Sequence, residues 1–278
     1  MAAVTAPGSV RATAGRRRWL VGVVAGWVVV VAGTAVWSER NDPPTVAEQR
    51  TIAQAVPRLQ AATGTVLAAA EEAGWVVRLG ALSIADCRIT PVRTGRLAKR
   101  DVVVYAPAEQ AREALDAVAG GLPADYRAGV TALRGGTELG LYADAGEFIR
   151  ITSEVAATDQ VLTITVDTGC RPADDTVDRG DPGAGDAPEA LSATLTALGA
   201  PADAAVTTEA VGCPGGGTAA TFEASGGAGG GAPRGMPDGT TLVWSGADGW
   251  AYAKGRESVV ITDQGDRLRV SVTTVCRA

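Results

Sequence analysis

Four cysteines have the most definite chemistry in this 278-residue sequence: Cys87, Cys170, Cys213 and Cys276. A cysteine can act as a nucleophile, bind a metal or form a disulfide. The chain has no histidine, which excludes Ser-His-Asp and Cys-His catalysis and histidine-based metal sites. No Cys-x-x-Cys spacing occurs either, so we predict no metal centre and no cofactor. An even number of cysteines after an apolar N-terminal segment predicts two disulfides in an oxidising compartment.

A repeated strand pattern indicates which cysteines pair. The segments 162–171 and 268–277 both end in Cys-Arg, with apolar residues eight, six and four places before the cysteine. This alternation is typical of a strand with one buried face. Each copy therefore predicts the last strand of a module. The pairs expected from this arrangement are Cys87–Cys170 and Cys213–Cys276, each within one module.

Carboxylates and glycines offer less specific chemistry. Acidic residues are plentiful, so hydrolysis by a carboxylate pair remains open, but no local spacing marks such a pair. Five aspartates could collect Ca²⁺, but their spacing does not match an EF-hand loop and favours a solvated spacer: Asp174, Asp175, Asp178, Asp181 and Asp186. The glycines of 213–217 and 226–231 lack the Gly-Lys-Ser/Thr ending of a phosphate loop and predict flexible loops.

One basic run contains no acid and is a candidate binding segment: Arg88, Arg93, Arg96, Lys99 and Arg100. We predict a surface loop that could dock an anionic envelope polymer, lipid headgroups or an acidic protein through charge-assisted hydrogen bonds. An ordinary solvated loop would explain the same residues.

Three aromatic residues surround the predicted turn of one hairpin: Trp244, Trp250 and Tyr252. Their even spacing could place them on one face of a sheet, although the turn between them weakens that inference. Such a face is either part of the core or, if exposed, a contact for a protein or glycan.

The N-terminus predicts a signal anchor. Residues 1–18 hold four arginines and no acid, and Trp19–Trp37 follows as nineteen residues without charge. A helix of that length extends about 28 Å, enough to cross a bilayer. The arginine bias predicts a cytoplasmic N-terminus and an extracytoplasmic remainder. The alternative is a signal peptide cleaved near Ala35, which would release a secreted protein.

The exported part is predicted to be α+β, with two tandem, related modules. Each module should contain an antiparallel sheet, a packed helix and one disulfide. The predicted segments are a spacer (38–44), module A (45–171), an Asp/Gly/Pro linker (172–186) and module B (187–278), a reduced copy of A.

Several elements of these modules can be assigned from local signals. Module A should begin with a helix capped by Thr45–Glu48 and closed by Gly74, followed by a strand over Trp75–Cys87. A second helix should follow Pro107, and Arg134–Thr137 should form a hairpin turn.

Charge and domain organisation lead to a functional expectation. After residue 38 the chain has 21 basic and 31 acidic residues, a net charge of −10, which argues against nucleic-acid binding. We predict a single-pass, non-catalytic binding or assembly module of the cell envelope, whose partner is an envelope protein or anionic polymer. The alternatives are a small-ligand or sensory ectodomain that uses the cleft between modules, and an exported carboxylate-dependent hydrolase.

Overall fold

A computed structural model of the chain describes residues 13–41, 50–173, 176–178, 180–200, 204–228, 240–247, 249–265 and 267–276. The chain divides into two compact units, Met1–Val46 and Ala47–Ala278. The predicted α+β class is confirmed, because the larger unit contains two antiparallel sheets with packed helices.

The N-terminal unit contains one long helix, α1 (Thr13–Asn41). Its segment Arg18–Trp37 is long and apolar enough to cross a membrane, and its side chains are not buried by other parts of the chain. The helix could therefore anchor the protein in a membrane, as predicted for residues 19–37. A signal sequence near an N-terminus has the same length and composition.

The first sheet of the larger unit, sheet A, has seven strands. They are β1 (Val76–Leu79), β2 (Ser83–Thr90), β3 (Arg93–Tyr105), β4 (Gly129–Leu133), β5 (Glu138–Asp144), β6 (Arg150–Ala156) and β7 (Val161–Asp167). Their order is β1-β3-β7-β6-β5-β4, and β2 pairs with β3 as a hairpin. Helices α2 (Ile52–Glu72) and α3 (Ala111–Gly121) pack on this sheet and share one apolar core with it.

The second sheet, sheet B, has six strands. They are β8 (Val206–Gly212), β9 (Thr218–Ala228), β10 (Thr240–Gly246), β11 (Gly249–Lys254), β12 (Glu257–Asp263) and β13 (Arg267–Thr273), in the order β10-β11-β12-β13-β9-β8. Helix α4 (Glu189–Ala197) packs on sheet B through Leu191 and Leu195.

The repeated strand pattern corresponds to buried strand faces in both sheets. Its apolar residues are buried in β7 and β13: Leu162, Ile164, Val166, Leu268, Val270 and Val272. Both predicted disulfides are formed, Cys87–Cys170 with a Cα–Cα distance of 5.9 Å and Cys213–Cys276 with one of 5.5 Å. The structure does not show that the two sheets are related copies, so the duplication stays a prediction.

Helix α2 begins later than its predicted capping box. The Thr45–Glu48 box lies outside the described residues, and in the structure the Thr51 N–H donates to Gln54 Oε1 at 3.2 Å as α2 begins. The helix ends before Gly74, which has a φ of +83°, as expected for a glycine that closes a helix.

Two regions differ from their predicted local structure. The strand expected over Trp75–Cys87 is divided into β1 and β2, which both pair with β3, because the three residues 80–82 lie opposite only two residues of β3 and shift the register. The loop expected over 226–231 is strand β9 as far as Ala228, because it pairs with β13, and residues 229–231 lie outside the described part.

The two sheets pack directly on each other along β1. Its outer edge is covered by side chains of sheet B: the Val77 N–H donates to Ser258 Oγ and the Leu79 N–H to Thr221 Oγ1, both at 3.0 Å. An apolar cluster that includes Tyr105 of β3 and Ala251 and Val260 of sheet B adds to this contact. We call this junction of sheet A, sheet B and the end of α2 the seam.

Candidate ligand pocket at the seam

One cavity of about 410 Å³ opens at the seam, where α2 ends. It is lined by the end of α2 and the residues that lead into β1 (Ala68, Glu71, Glu72, Gly74 and Trp75), by the β11–β12 turn (Ala253, Gly255, Arg256, Glu257 and Ser258) and by Val275 and Cys276. We call this cavity the seam pocket. Its volume lies in the lower part of the range common for small-ligand pockets.

Glu71 is the titratable residue most affected by this environment. Its Oε2 accepts a hydrogen bond from the Cys276 backbone N–H at 2.8 Å, while its buried Oε1 has no partner within the described residues. Burial removes the carboxyl group from water and raises its pKa to about 7, although the Cys276 hydrogen bond and the charge of Arg256 act in the opposite direction. Glu71 can therefore exchange a proton near neutral pH.

Trp75 contributes a second unsatisfied polar group. Its Nε1–H is a hydrogen-bond donor and cannot accept, and this buried nitrogen has no acceptor within the described residues. Buried polar atoms are nearly always hydrogen-bonded in folded proteins. Two lining residues of one pocket thus hold an unpaired acceptor and an unpaired donor.

Charged residues give the pocket an acidic character. Glu72 and Glu257 line it together with Glu71, and Arg256 is the basic lining residue. Within the described residues, no group of three or more His, Cys, Asp or Glu side chains is arranged to hold a metal ion. The pocket combines a carboxyl group that titrates near pH 7, an indole and mixed charges, which suits binding of a small polar molecule.

Sequence reasoning missed Glu71, Trp75 and Arg256 because the pocket unites distant segments. Glu71 and Cys276 are 205 positions apart, and no local pattern relates them. The one available signal was indirect: a Glu-Glu pair and a tryptophan flank the Gly74 turn at the predicted end of a helix.

The basic run forms a hairpin of β2 and β3, not the predicted loop, because cross-strand pairing extends from Ser83–Lys99 to the tip. We call residues 83–99 the basic arm. The Cys87–Cys170 disulfide fixes it to the end of β7, and Arg96 and Arg171 exchange two backbone hydrogen bonds of 2.8 Å. The arm is therefore held firmly against sheet A.

The basic residues do not form one cluster. Arg96 pairs with Asp86 at 3.5 Å and Lys99 approaches Asp101 at 3.9 Å. Arg88 and Arg93 are exposed and have no ion pair within the described residues. These two arginines are the members of the run best placed to meet an anionic partner.

The prediction that the basic run lies on the surface is wrong for Arg100. Its side chain is fully buried at the seam, where it donates to Asp181 Oδ1 at 3.0 Å, to Glu209 Oε2 at 2.9 Å and to Gln60 Oε1 at 2.6 Å. The solvated-spacer prediction is also wrong for Asp181, because its carboxylate binds this guanidinium. Asp174 and Asp175 lie outside the described residues.

The three candidate aromatics do not share one face. A β-bulge between Leu242 and Trp244 shifts the alternation, and Trp244 packs on Tyr105 with ring centroids 5.4 Å apart. Tyr252 is fully buried in the α4 core, with its hydroxyl 3.1 Å from Thr194 Oγ1, so a role as an exposed contact is wrong for this residue. Trp250 packs beside the same core. None of the three lines the seam pocket.

The fold and pocket define an α+β protein with two antiparallel sheets, two disulfides and an apolar N-terminal helix; the disulfides suggest an extracytoplasmic domain. No family model and no curated protein matches the chain. The crystal structure of a DUF4853 family protein from Actinomyces odontolyticus is similar over 61% of this chain and 90% of that chain, with 16% identity and a TM-score of 0.35. A likeness this weak supports no conclusion about fold or function.

Proposed function

We propose that the chain is a single-pass envelope protein whose extracytoplasmic domain binds a small ligand in the seam pocket and is not an enzyme. The apolar helix α1 supports anchoring, and the arginines before it support a cytoplasmic N-terminus. Resistance of the chain to alkaline extraction from membranes tests the anchoring.

The repeated strand with its Cys-Arg ending supports an origin of the two sheets by duplication of one module.

One observation carries the binding proposal: two residues of a single pocket each keep a buried polar atom that has no partner in the described part of the chain. Leaving such an atom unpaired costs about 1–3 kcal/mol, so a structure that needed no ligand would gain stability by removing either group. Glu71 and Trp75 both have this property, and both line the seam pocket. Unpaired polar groups that lower the stability of the fold are typical of pockets that bind a ligand.

The basic arm supplies a contact surface for a larger envelope partner. Val92 at its tip is 97% exposed, and Arg88 and Arg93 flank that tip. A firmly held arm loses little conformational entropy when it binds. We assign it to an anionic envelope polymer, because its two arginines, which form no ion pair with any residue the structure describes, contrast with the acidic remainder of the exported part.

Blocking the pocket tests the small-ligand proposal. Ala68 lines the pocket from α2, and a tryptophan there would occupy its space. Ala61→Trp, on an exposed position of the same helix, is the matched control. Compounds from a small-molecule library should raise the Tm of the full chain in detergent and of the control, but not of Ala68→Trp. Equal responses of Ala68→Trp and the control would contradict binding in this pocket.

Glu71 also favours a second function, hydrolysis by a carboxylate pair. A carboxyl group with a pKa of about 7 can serve as a general acid, and Glu257 lines the same pocket. Glycoside substrates with a chromogenic leaving group test this function. Turnover by the wild type and its loss in Glu71→Gln would favour the enzyme over the binding protein.

A further inference from the structure

We infer that the seam pocket takes a small amine with a carbonyl or carboxylate group beside its ammonium group, the chemistry shared by a free amino acid and the N-terminus of a short peptide. Resting on the proposed binding function, this assignment names the class of ligand for the same site. Three properties of the pocket lead to it: its unpaired atoms, its charges and its size.

The unpaired atoms require complementary groups on the ligand. Glu71 Oε1 needs a donor and Trp75 Nε1 needs an acceptor. Both atoms are shielded from solvent in this structure, so small rotations of the carboxyl group and the indole ring must bring them to a ligand. An ammonium group provides the donor and a neighbouring carbonyl oxygen provides the acceptor. An inorganic cation would satisfy Glu71 alone and leave the indole N–H unpaired.

The charges favour the same chemistry. The acids Glu71, Glu72 and Glu257 outnumber Arg256 among the lining residues, which favours a positive group in the pocket. The face of an indole also attracts an ammonium group. Arg256 can accept the carboxylate or carbonyl end of the same molecule by charge-assisted hydrogen bonding.

The size limits the ligand to a small molecule or a chain end. A volume of about 410 Å³ is too small for a folded segment and suits an amino acid or the first residues of a peptide. Ala68 and Val275 provide apolar lining for a side chain of the ligand.

Ligand binding should depend on pH because the ammonium group pairs with the ionised form of Glu71. The carboxyl group is neutral below its pKa of about 7 and charged above it. The other charged lining residues that face it are Glu72, Arg256 and Glu257. Affinity should rise about tenfold per pH unit up to pH 7 and fall again above about pH 8, where an α-amino group beside a carbonyl loses its proton.

Calorimetric titration of the full chain in detergent at pH 7, where the amine of leucinamide is still an ammonium group, tests the ligand class. The probes are leucinamide, which has both groups, isopentylamine, which lacks the carbonyl, and N-acetyl-leucinamide, which lacks the ammonium. Leucinamide should bind at least tenfold more tightly than either partial probe. Leucine and a Leu-Ala dipeptide then distinguish a free amino acid from a peptide end. Equal binding of N-acetyl-leucinamide and leucinamide would overturn the assignment.

Two variants separate the roles of the polar groups. Glu71→Gln keeps an acceptor for the Cys276 N–H but loses the charge, and should weaken leucinamide binding at least tenfold. Trp75→Phe removes the indole donor, and should weaken leucinamide binding five- to tenfold but isopentylamine binding by a smaller factor, because the phenyl ring still attracts an ammonium group, though less strongly than an indole. Glu113→Gln, an exposed carboxylate on α3, is the control and should bind like the wild type. Leucinamide affinity unchanged in Glu71→Gln would also overturn the assignment.

Failure of the ligand class differs from failure of the binding proposal. If only the class is wrong, neutral or anionic compounds will bind the wild type and lose affinity in Ala68→Trp. If the pocket binds nothing, no library compound will distinguish Ala68→Trp from Ala61→Trp, and leucinamide will not bind.

Discussion

At the scale of residues, Glu71 combines a structural hydrogen bond with a free-energy cost of ionisation. Its pKa is raised from 4.5 to about 7, so the folded state binds more protons than the unfolded state between these pH values. The raised pKa therefore contributes its full stabilisation of the fold below pH 4.5, and this contribution is lost as the pH rises to 7. We expect Glu71→Gln to be about 3 kcal/mol more stable than the wild type at pH 8 and nearly equal to it at pH 4.

Urea unfolding of the full chain in detergent at both pH values measures this effect. Glu72→Gln removes the same charge from the exposed neighbour and should change stability by less than about 0.5 kcal/mol. A Glu71→Gln variant that is less stable than the wild type at pH 8 would show that the carboxylate stabilises the fold.

Arg100 is the buried cation that joins the two sheets. We expect Arg100→Met to reduce the free energy of unfolding by about 3 kcal/mol, because it leaves Asp181 and Glu209 without their guanidinium partner. Arg112→Met breaks an exposed pair with Asp116 and should cost less than about 0.5 kcal/mol. Equal losses in the two variants, measured by urea unfolding, would contradict a role for Arg100 at the seam.

The predictable residues were those with a local pattern. The cysteines were identified with their partners because strand alternation placed Cys170 and Cys276 at the ends of similar strands. The prediction that Arg100 is exposed was wrong because a run of basic residues does not indicate which side chain is buried. Glu71 and Trp75 had no pattern at all, since their environment comes from residues about 200 positions away.

At the scale of elements, α2 approaches sheet B so closely at position 64 that only glycine, which has no Cβ, fits there. A Cβ on Gly64 would clash with the carbonyl oxygen of Gly212 at the end of β8. We expect Gly64→Ala to destabilise the full chain by about 1–3 kcal/mol. Gly120→Ala in α3 has open space and should be neutral or stabilise by up to about 1 kcal/mol. Thermal unfolding compares the two, and a stabilised Gly64→Ala would contradict this packing.

The basic arm should contribute to polyanion binding through its exposed arginines, Arg88 and Arg93. We expect Arg88→Gln/Arg93→Gln to weaken binding to polyphosphate at least fivefold and to reduce its salt dependence. Arg112→Gln/Arg127→Gln removes two exposed charges outside the basic arm, on α3 and in the loop before β4, and serves as the control. Equal loss in both double variants, measured in a salt series by surface plasmon resonance, would indicate a general charge effect.

Elements with strong periodicity or clear end signals were predictable, and those fixed by pairing were not. The strands β7 and β13 and helix α3 have regular apolar spacing and matching turn residues. The basic arm lacks apolar alternation because both of its faces carry charged residues near the tip, so its sequence resembles a loop. The break between β1 and β2 results from a one-residue shift in their pairing with β3, which local sequence does not encode.

At the scale of the whole molecule, the larger unit is one body with two sheets. The strands of sheet A fall within 45–171 and those of sheet B within 187–278, but side chains of sheet B cover the edge of β1. Sequence patterns describe each sheet separately and contain no information on their packing. The seam pocket belongs to this packing, so the sequence suggests a cleft between modules but does not indicate which residues line it.

The most direct test follows the six tryptophan indole N–H signals of the ¹⁵N-labelled full chain by NMR as leucinamide is added. Loss of one signal in Trp75→Phe assigns the Trp75 resonance. Binding in the seam pocket predicts that this signal moves downfield, as its proton gains an acceptor, while the signals of Trp244 and Trp250 stay in place. A shift of Trp244 or Trp250 without Trp75, or no shift at saturating ligand, would contradict the seam pocket as the binding site.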